Sequence, residues 1–234
     1  MSIFFKIRIH SKIIHLILAL CSLVAVILAL NIWGIWAMIL AHWFIFALSM
    51  EFVNFVICKL RKRQGLWKRV YRSGLVPIFL TILVLGYGYY CMHDVVKTTY
   101  TINTQKNIRE EGYRIAFISD LHFRTTMNET TLEQYCREIE MEHPDFVVLC
   151  GDIVDEQTNL LDLQKVFQTL STIQSDYGVF FVYGNHDRAS YNPKADFTPE
   201  QLTQILEQNG IHILQEENYS ITEDFTIIGR EDWY

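Results

Sequence analysis

Three short segments of the chain carry side chains that could bind metal ions. Asp120 and His122 stand two residues apart, so in an extended backbone both side chains lie on the same side and can chelate one cation. Asp152 follows a second apolar run, and Asn185 and His186 follow a third. Carboxylate, imidazole and amide groups are ligands that divalent first-row metals accept. The residue types and their spacing therefore indicate half of a two-metal site.

The second and third segments differ in what they offer. Gly151 lets the backbone come close to a ligand, and the carboxylate of Asp152, at a strand end, can bridge two cations with its two oxygens. Asn185 offers a neutral carbonyl oxygen, which suits a second metal without adding charge. The adjacent His186 points elsewhere in an extended loop, so we expect it to be available for acid–base chemistry.

The elements that must position these side chains alternate between strands and helices. Apolar runs predict strands at residues 113–119, 145–150 and 179–183, and apolar residues at helical spacing predict helices at 129–142 and 160–173. This order is typical of βαβ units around a mainly parallel sheet. Because open α/β sheets place ligand sites at the carboxyl ends of their strands, we expect the three segments to meet there.

Smaller elements are predicted around this frame. Thr198 before Pro199 is typical of a helix N-cap, and Gly210 is expected to end that helix. The alternating residues 98–104 predict an edge strand. Three further short strands are expected at residues 211–214, 219–222 and 225–228.

The three segments together resemble the motifs of a known family. Residues 118–122 (Ile-Ser-Asp-Leu-His), 149–155 (Leu-Cys-Gly-Asp-Ile-Val-Asp) and 183–187 (Tyr-Gly-Asn-His-Asp) are similar to those of the calcineurin-like metallophosphoesterases, in particular their bacterial membrane-anchored branch. The resemblance covers residues 110–234. It implies an α/β fold, the αββα sandwich of that family, and hydrolysis of phosphate mono- or diesters at a centre of two divalent ions, with Mn, Fe or Zn expected.

The resemblance also implies roles for single residues. His186 is expected to assist the leaving group or the transition-state charge, and Asp187 to orient His186. Arg124 and Arg188, close behind two of the motifs, are either phosphate contacts or solvated surface residues. The implied metal ligands are Asp120 and His122 on the first ion, Asp152 between the two ions and Asn185 on the second.

The later histidine motifs of the family have no counterpart in this sequence. The family uses a lone histidine and then a Gly-His-x-His segment, whereas the single histidine after His186 is His212. His212 stands in an apolar run and is expected in the core or at the surface, and His143 is expected in a loop. We therefore expect the chain to be an N-terminal fragment or a truncated product that holds the first part of the domain.

The two ends of the chain differ in composition. Residues 1–92 carry ten Lys and Arg and one acid, Glu51, which gives a formal charge of 10 − 1 = +9. Residues 93–234 carry ten Lys and Arg and twenty-five acids, which gives 10 − 25 = −15 and a total of −6. A basic, apolar first part indicates a membrane segment, and an acidic, mixed second part indicates a soluble domain.

Apolar stretches in the first part predict transmembrane helices at 13–30, 35–58 and 75–92, followed by a connector at 93–112 and the domain at 113–234. The first stretch is too long for a cleaved signal peptide. Basic residues before the first helix and between the second and third favour the cytoplasm for both segments, which places the domain outside the cytoplasm of a multi-pass membrane protein. These residues are Lys6, Arg8, Lys12, Lys59, Arg61, Lys62, Arg63, Lys68, Arg69 and Arg72.

Two other classes of function stay open. An incomplete site could make the chain a non-catalytic, membrane-anchored module, and the membrane helices could form a transporter or sensor, for which Glu51 is the one acid available. The acidic domain suits cations and makes nucleic acid a poor partner. The expected substrate is a phosphate ester that is lipid- or nucleotide-linked.

Overall fold

The computed structural model describes residues 12–31, 34–60 and 65–230 and divides the chain into two compact units, Met1–Val96 and Lys97–Tyr234. The first unit is helical, and the second contains both helices and strands. Five of the basic residues from which the membrane orientation was predicted lie outside the described residues: Lys6, Arg8, Arg61, Lys62 and Arg63.

The first unit contains four helices within the described residues: α1 Lys12–Ala29, α2 Ile35–Leu60, α3 Gly65–Ser73 and α4 Leu75–His93. In this part of the chain α2, with 26 residues, and α4, with 19, are long and apolar enough to cross a membrane, judged by length and composition. No residue of α2 is buried, as expected of a helix whose apolar surface faces lipid. Gly74, with φ of 66°, allows the chain to turn between α3 and α4.

The second unit alternates strands and helices in the order β1 Ile115–Ile118, α5 Glu129–Glu140, β2 Phe146–Cys150, α6 Leu160–Leu170, β3 Val179–Val182, α7 Pro199–Gln208 and β4 His212–Ile213. These strands form one parallel sheet in the order β1-β2-β3-β4. The last two strands, β5 Glu217–Ser220 and β6 Thr226–Gly229, form a separate antiparallel pair. The α/β class with a parallel sheet is confirmed.

The central strand β2 has both faces buried, and its alternate side chains enter two apolar clusters. Val147 and Leu149 are fully buried among residues of the three crossover helices. Phe146 and Val148 point to the opposite face, where they pack with residues of the β5–β6 pair. Burial of each such side chain contributes about 2 kcal/mol. The loop that follows β2 therefore starts from a strand held rigidly by packing on both faces.

A side-chain cap begins each crossover helix. Asn128 and Asn159 each accept the backbone N–H three residues later, at 3.0 and 2.9 Å. At α7 Thr198 is the N-cap with Pro199 in the first turn, as the sequence predicted, and Gln201 forms a reciprocal capping box with Thr198. Each cap contributes about 1 kcal/mol. The caps fix the point at which each helix begins after its loop.

The edge strand predicted at residues 98–104 is wrong. This segment forms no strand, and its side chains Tyr100 and Ile102 are 84% and 89% exposed. An alternating pattern forms a strand only where a neighbouring strand shares its backbone hydrogen bonds and one face is covered. No strand in the part of the chain that the structure describes pairs with this segment.

Candidate metal centre

The loops that follow β1 and β2 lie side by side beyond the end of the sheet. The backbone N–H of Asp120 donates to the carbonyl of Gly151 at 3.1 Å, and the N–H of His122 donates to the carbonyl of Asp152 at 2.9 Å. These bonds continue the pairing of the two strands past their ends. The Asp-x-His segment is therefore held against the Gly-Asp segment, at the edge of the sheet where ligand sites of α/β proteins form.

Asp120, His122 and Asp152 form a compact group of possible metal ligands. One ligand atom from each lies within 4.8 Å of the other two. Bonds of ~2.1 Å place the ligands of one ion roughly 3–4 Å apart, so a small adjustment would let all three bind one ion. Asp120 is exposed and the other two are half-buried, which leaves the group open to solvent.

All three residues of this group have a left-handed backbone, with φ of 54° at Asp120, 38° at His122 and 53° at Asp152. Residues other than glycine adopt this conformation rarely, at a cost of roughly 1 kcal/mol or more each. The extended backbone expected between Asp120 and His122 is therefore wrong. The two side chains come together through left-handed turns and not through the alternation of a strand.

A carboxylate contacts the His122 ring from outside the group. Asp155 Oδ2 lies 3.4 Å from His122 Nδ1, so Nε2 is the ring nitrogen left for a cation. Hydrogen bonding to Asp155 raises the pKa of His122, and the same contact lowers the pKa of Asp155. Carboxylates often hold metal-binding histidines in this way, because the contact fixes the tautomer and the ring orientation.

Asp187 holds the second and third loops together. It is fully buried, and its carboxylate accepts backbone N–H groups of Asp152 at 2.8 Å, Ile153 at 2.9 Å, Val154 at 3.2 Å and Gly184 at 2.7 Å. Burial raises the pKa of Asp187 to about 6, and the N–H donors act against that shift. Its bonds are with the loop backbone, whereas the sequence prediction had it orient His186.

Glu156 is the carboxylate that contacts His186. Both of its oxygens lie 3.0 Å from His186 Nδ1, while the backbone N–H of His186 donates to Asp152 Oδ1 at 2.9 Å. The His186 and His122 rings are 5.2 Å apart between centroids, edge to face. Half-buried Asn185 stands one residue earlier on the same loop. The third loop thus brings a carboxylate-bound imidazole next to the possible metal ligands.

Comparison with known proteins agrees with this geometry. A family model described as Calcineurin-like phosphoesterase matches residues 113–229, which are half of the chain and include every strand of the second unit that the structure describes. The chain belongs to this family. The resemblance of the three motifs is thereby confirmed at the level of the family.

Relatives of this calcineurin-like phosphoesterase include bacterial and animal proteins. An uncharacterized metallophosphoesterase of Aquifex aeolicus is 30% identical over 156 residues, which are 66% of this chain and 56% of the relative. A Danio rerio protein named "Transmembrane protein with metallophosphoesterase domain" is 21% identical over 209 residues, 88% of this chain and 45% of the relative. UDP-2,3-diacylglucosamine pyrophosphatase LpxG of Chlamydia muridarum is 31% identical over 80 residues, 34% of this chain and 24% of the relative. The chain spans about half or less of the length of such relatives.

The donors of this calcineurin-like phosphoesterase fit the divalent ions that are typical of its family. Two carboxylates and one imidazole, the side chains of Asp120, Asp152 and His122, are a mixed oxygen and nitrogen set that suits Mn, Fe or Zn. The backbone N–H of His186 donates to Asp152 Oδ1, and this hydrogen bond fixes the orientation of the carboxylate. Among the described residues, these three are the one group of His, Cys, Asp and Glu side chains that could hold an ion.

The two arginines near the motifs have partners in the structure. Arg124 donates to Asp162 at 2.8 Å and lies 3.8 Å from Glu129, so it ties the first loop to the starts of α6 and α5. The guanidinium carbon of Arg188 lies 4.5 Å from the centroid of the Tyr183 ring. For Arg124 the contacts favour a structural role over phosphate binding.

The two remaining histidines of the second unit lie where the sequence predicted. His212 stacks on Phe180, with ring centroids 5.2 Å apart, and also contacts Tyr219 on the sheet face away from the crossover helices. His143 follows α5 in a turn with φ of 49°. Neither belongs to the ligand group.

Sequence reasoning missed Asp155 and Glu156. Asp155 is the last residue of the second motif, three positions after Asp152, and this closeness to Asp152 could have drawn attention to it. Glu156 carries no such signal, because an acid after a strand is most often a solvated loop residue. Only the fold brings it to His186.

Proposed function

We propose that the chain is a metal-dependent phosphoesterase, anchored in the membrane, that hydrolyses phosphate mono- or diesters. The observation that carries this proposal is the group formed by Asp120, His122 and Asp152 at the ends of neighbouring parallel strands, with His186 beside it. Membership of the family supports the class of reaction.

The proposed ligand set follows the three loops. Asp120 and His122 would hold the first ion, Asp152 would be shared by the two ions, and Asn185 would hold the second. When bound, such ions supply Lewis acidity to the phosphoryl oxygens and lower the pKa of a bound water. Asp155 keeps the His122 ring turned so that Nε2 is available, and His186 N–H keeps Asp152 in place.

His186 is proposed as the catalytic acid. With Glu156 at Nδ1, a proton is held on that nitrogen, and the opposite nitrogen Nε2 can carry a second proton toward the leaving oxygen. A protonated imidazole at this position would also stabilise charge on the phosphoryl group. Asp187 acts through the loop backbone, because it fixes the segment from which His186 projects.

The membrane anchor is proposed to contain three crossings, at residues 13–30, 35–58 and 75–92, followed by a connector at 93–112 and the domain at 113–234. Helices α2 and α4 support two of the crossings, and a relative named as a transmembrane protein aligns with 88% of this chain. The basic residues around the first two crossings favour an extracytoplasmic domain.

The proposed substrate is a phosphate ester linked to a lipid. Support comes from the membrane helices, which would keep the domain near lipid headgroups, and from the name of the LpxG relative, a diacylglucosamine pyrophosphatase. A nucleotide-linked ester is the second choice. The formal charge of −15 on residues 93–234 disfavours nucleic acid.

A non-catalytic metal-binding module is the second candidate function. The observation that favours it is the size of the ligand group, since within the described residues three His, Cys, Asp or Glu side chains come together. Three donors can hold one ion but are few for a two-ion centre. This alternative predicts metal binding without hydrolysis.

Hydrolysis of a generic phosphodiester separates the two candidates. The full chain in detergent, supplied with Mn²⁺, should release p-nitrophenol from bis(p-nitrophenyl) phosphate. Asp152→Asn should lower kcat/KM roughly 100-fold or more, because the change removes one negative ligand. Asp176→Asn, at an exposed position, is the matched control and should not change the rate. Equal activity in wild type and Asp152→Asn would overturn the enzyme proposal, and metal binding without turnover would favour the module.

A further inference from the structure

The short helix α3 has two unlike faces. Trp67, Val70 and Tyr71 are half-buried, whereas Lys68, Arg69 and Arg72 are exposed. The helix contains no acidic residue. Among the residues that the structure describes, none forms an ion pair with these three cations. One face of α3 is therefore a basic surface without a compensating charge.

Two side-chain hydrogen bonds fix which face of α3 is exposed. Trp67 Nε1 donates to Asn54 Oδ1 at 3.1 Å, and Tyr71 donates its hydroxyl proton to Glu51 Oε2 at 2.7 Å. Tyr71, later in α3, contacts Glu51, which is earlier in α2 than the Asn54 that Trp67 contacts. The chain of α3 therefore runs back along the end of α2. Glu51, the one acid in residues 1–92, is engaged by this contact.

The position of α3 places its basic face at a membrane boundary. α3 lies between the last residue of α2 and the first residue of α4, the two helices that can cross a membrane. From Glu51 to the end of α2 the rise is roughly 14 Å, whereas one headgroup layer is ~5–8 Å deep. Because α3 lies along this part of α2, it extends through the depth of a headgroup layer. Lysine and arginine stems can extend along apolar surface and hold their charges among headgroups.

We infer that Lys68, Arg69 and Arg72 form a binding surface for the headgroups of anionic phospholipids. This inference rests on the membrane anchoring proposed above. The phosphodiester headgroup carries a net negative charge, and a guanidinium group can bind two of its oxygens at once. Each exposed cation near an anionic bilayer strengthens binding roughly fivefold. Tyr71 and Trp67 hold the three cations on one side of the helix, where a single lipid layer can reach all of them.

Native mass spectrometry of the full chain tests this surface. The protein, in a neutral detergent, is offered equal amounts of phosphatidylglycerol and phosphatidylcholine, and the bound lipids are counted. Wild type should prefer phosphatidylglycerol, and this preference should fall as salt rises. The triple variant Lys68→Gln, Arg69→Gln, Arg72→Gln should lose most of the preference, because it removes the charges that the anionic headgroup would contact.

Two further variants control for folding and for general charge. Lys68→Arg, Arg69→Lys, Arg72→Lys keeps every charge and should keep the preference. Lys97→Gln, Lys106→Gln, Arg137→Gln removes three exposed cations of the second unit and should also keep it. Equal binding of the two lipids by wild type, or an unchanged preference in the neutral α3 variant, would overturn the inference.

The lipid experiment is independent of the catalytic proposal. Asp152→Asn should keep the lipid preference, and the neutral α3 variant should keep hydrolysis of the water-soluble diester. If wild type fails to sediment with phospholipid vesicles, the anchoring proposal fails, and the α3 inference fails with it. If wild type sediments but shows no preference, the α3 inference alone fails.

Discussion

Gly151 and Gly184 lie directly against each other where the second loop passes the third. A Cβ on Gly151 would lie 2.7 Å from the Cα and the N of Gly184, and a Cβ on Gly184 would lie 2.6 Å from the backbone N of Asp152. Real Cβ atoms essentially never come this close. The absence of both side chains is therefore what allows the Asp152 and His186 loops to share the Asp187 carboxylate.

Gly151→Ala should destabilise the protein more than a matched glycine change. Gly151 and Gly210 both have a left-handed backbone, with φ of 76° and 69°, but nothing lies within 4 Å of a Cβ at Gly210. Gly210→Ala should cost only the strain of about 1 kcal/mol, and Gly151→Ala about 1–3 kcal/mol more. Thermal unfolding of the full chain in detergent measures both. Equal shifts in Tm would mean that the two loops can separate at little cost.

Glu156→Gln should slow catalysis and leave metal binding intact. The amide cannot stabilise a protonated His186 as a carboxylate does, so kcat should fall roughly 10–100-fold with KM little changed. Glu207→Gln, at an exposed position of α7, is the control and should behave as wild type. Steady-state kinetics with bis(p-nitrophenyl) phosphate supplies both constants. A rise in KM alone would assign Glu156 to substrate binding instead.

Asp187→Asn should unfold the loops although it changes few atoms. In wild type the Asp187 carboxylate accepts hydrogen bonds from backbone N–H groups. The amide NH₂ of the variant would face some of these N–H groups and leave them buried without an acceptor. The expected cost is about 3 kcal/mol or more. Thermal unfolding should show a lower Tm, with Asp176→Asn unchanged as the exposed control. A wild-type Tm in Asp187→Asn would show that the four hydrogen bonds contribute little.

The sequence predicted that the three candidate ligands would meet, but it did not predict their backbone geometry. Asp120, His122 and Asp152 follow apolar runs, and parallel pairing of those runs brings them to one edge, so their meeting could be anticipated. The left-handed turns at the same residues could not be anticipated, because Asp and His adopt this backbone more often than most residues but still in a small minority of cases. The Glu156 contact with His186 depends on how two loops pack, which no pattern within either loop encodes.

Asp224, in the turn between β5 and β6, gives a pH dependence that lies away from the candidate metal site. Hydrogen bonds from Thr222 and Tyr113 lower the pKa of Asp224 from 3.8 to about 2. A folded-state pKa below the unfolded value means that this stabilisation is present above pH ~4 and is lost as the pH falls toward 2. Wild type should therefore have a higher Tm than Asp224→Asn at neutral pH, and the difference should shrink as the pH falls from about 4 through about 2. A difference that stays constant over this range would remove Asp224 as its source.

Calorimetric titration of Mn²⁺ into the chelator-treated full chain measures whether Asp120, His122 and Asp152 form a metal centre, as we propose. Wild type should bind Mn²⁺ with saturation, and His122→Ala should bind roughly 100-fold more weakly because one of three clustered donors is gone. His212→Ala removes a histidine outside the group and should bind as wild type does. Equal Mn²⁺ affinity in wild type and His122→Ala would show that these three residues do not form a metal centre.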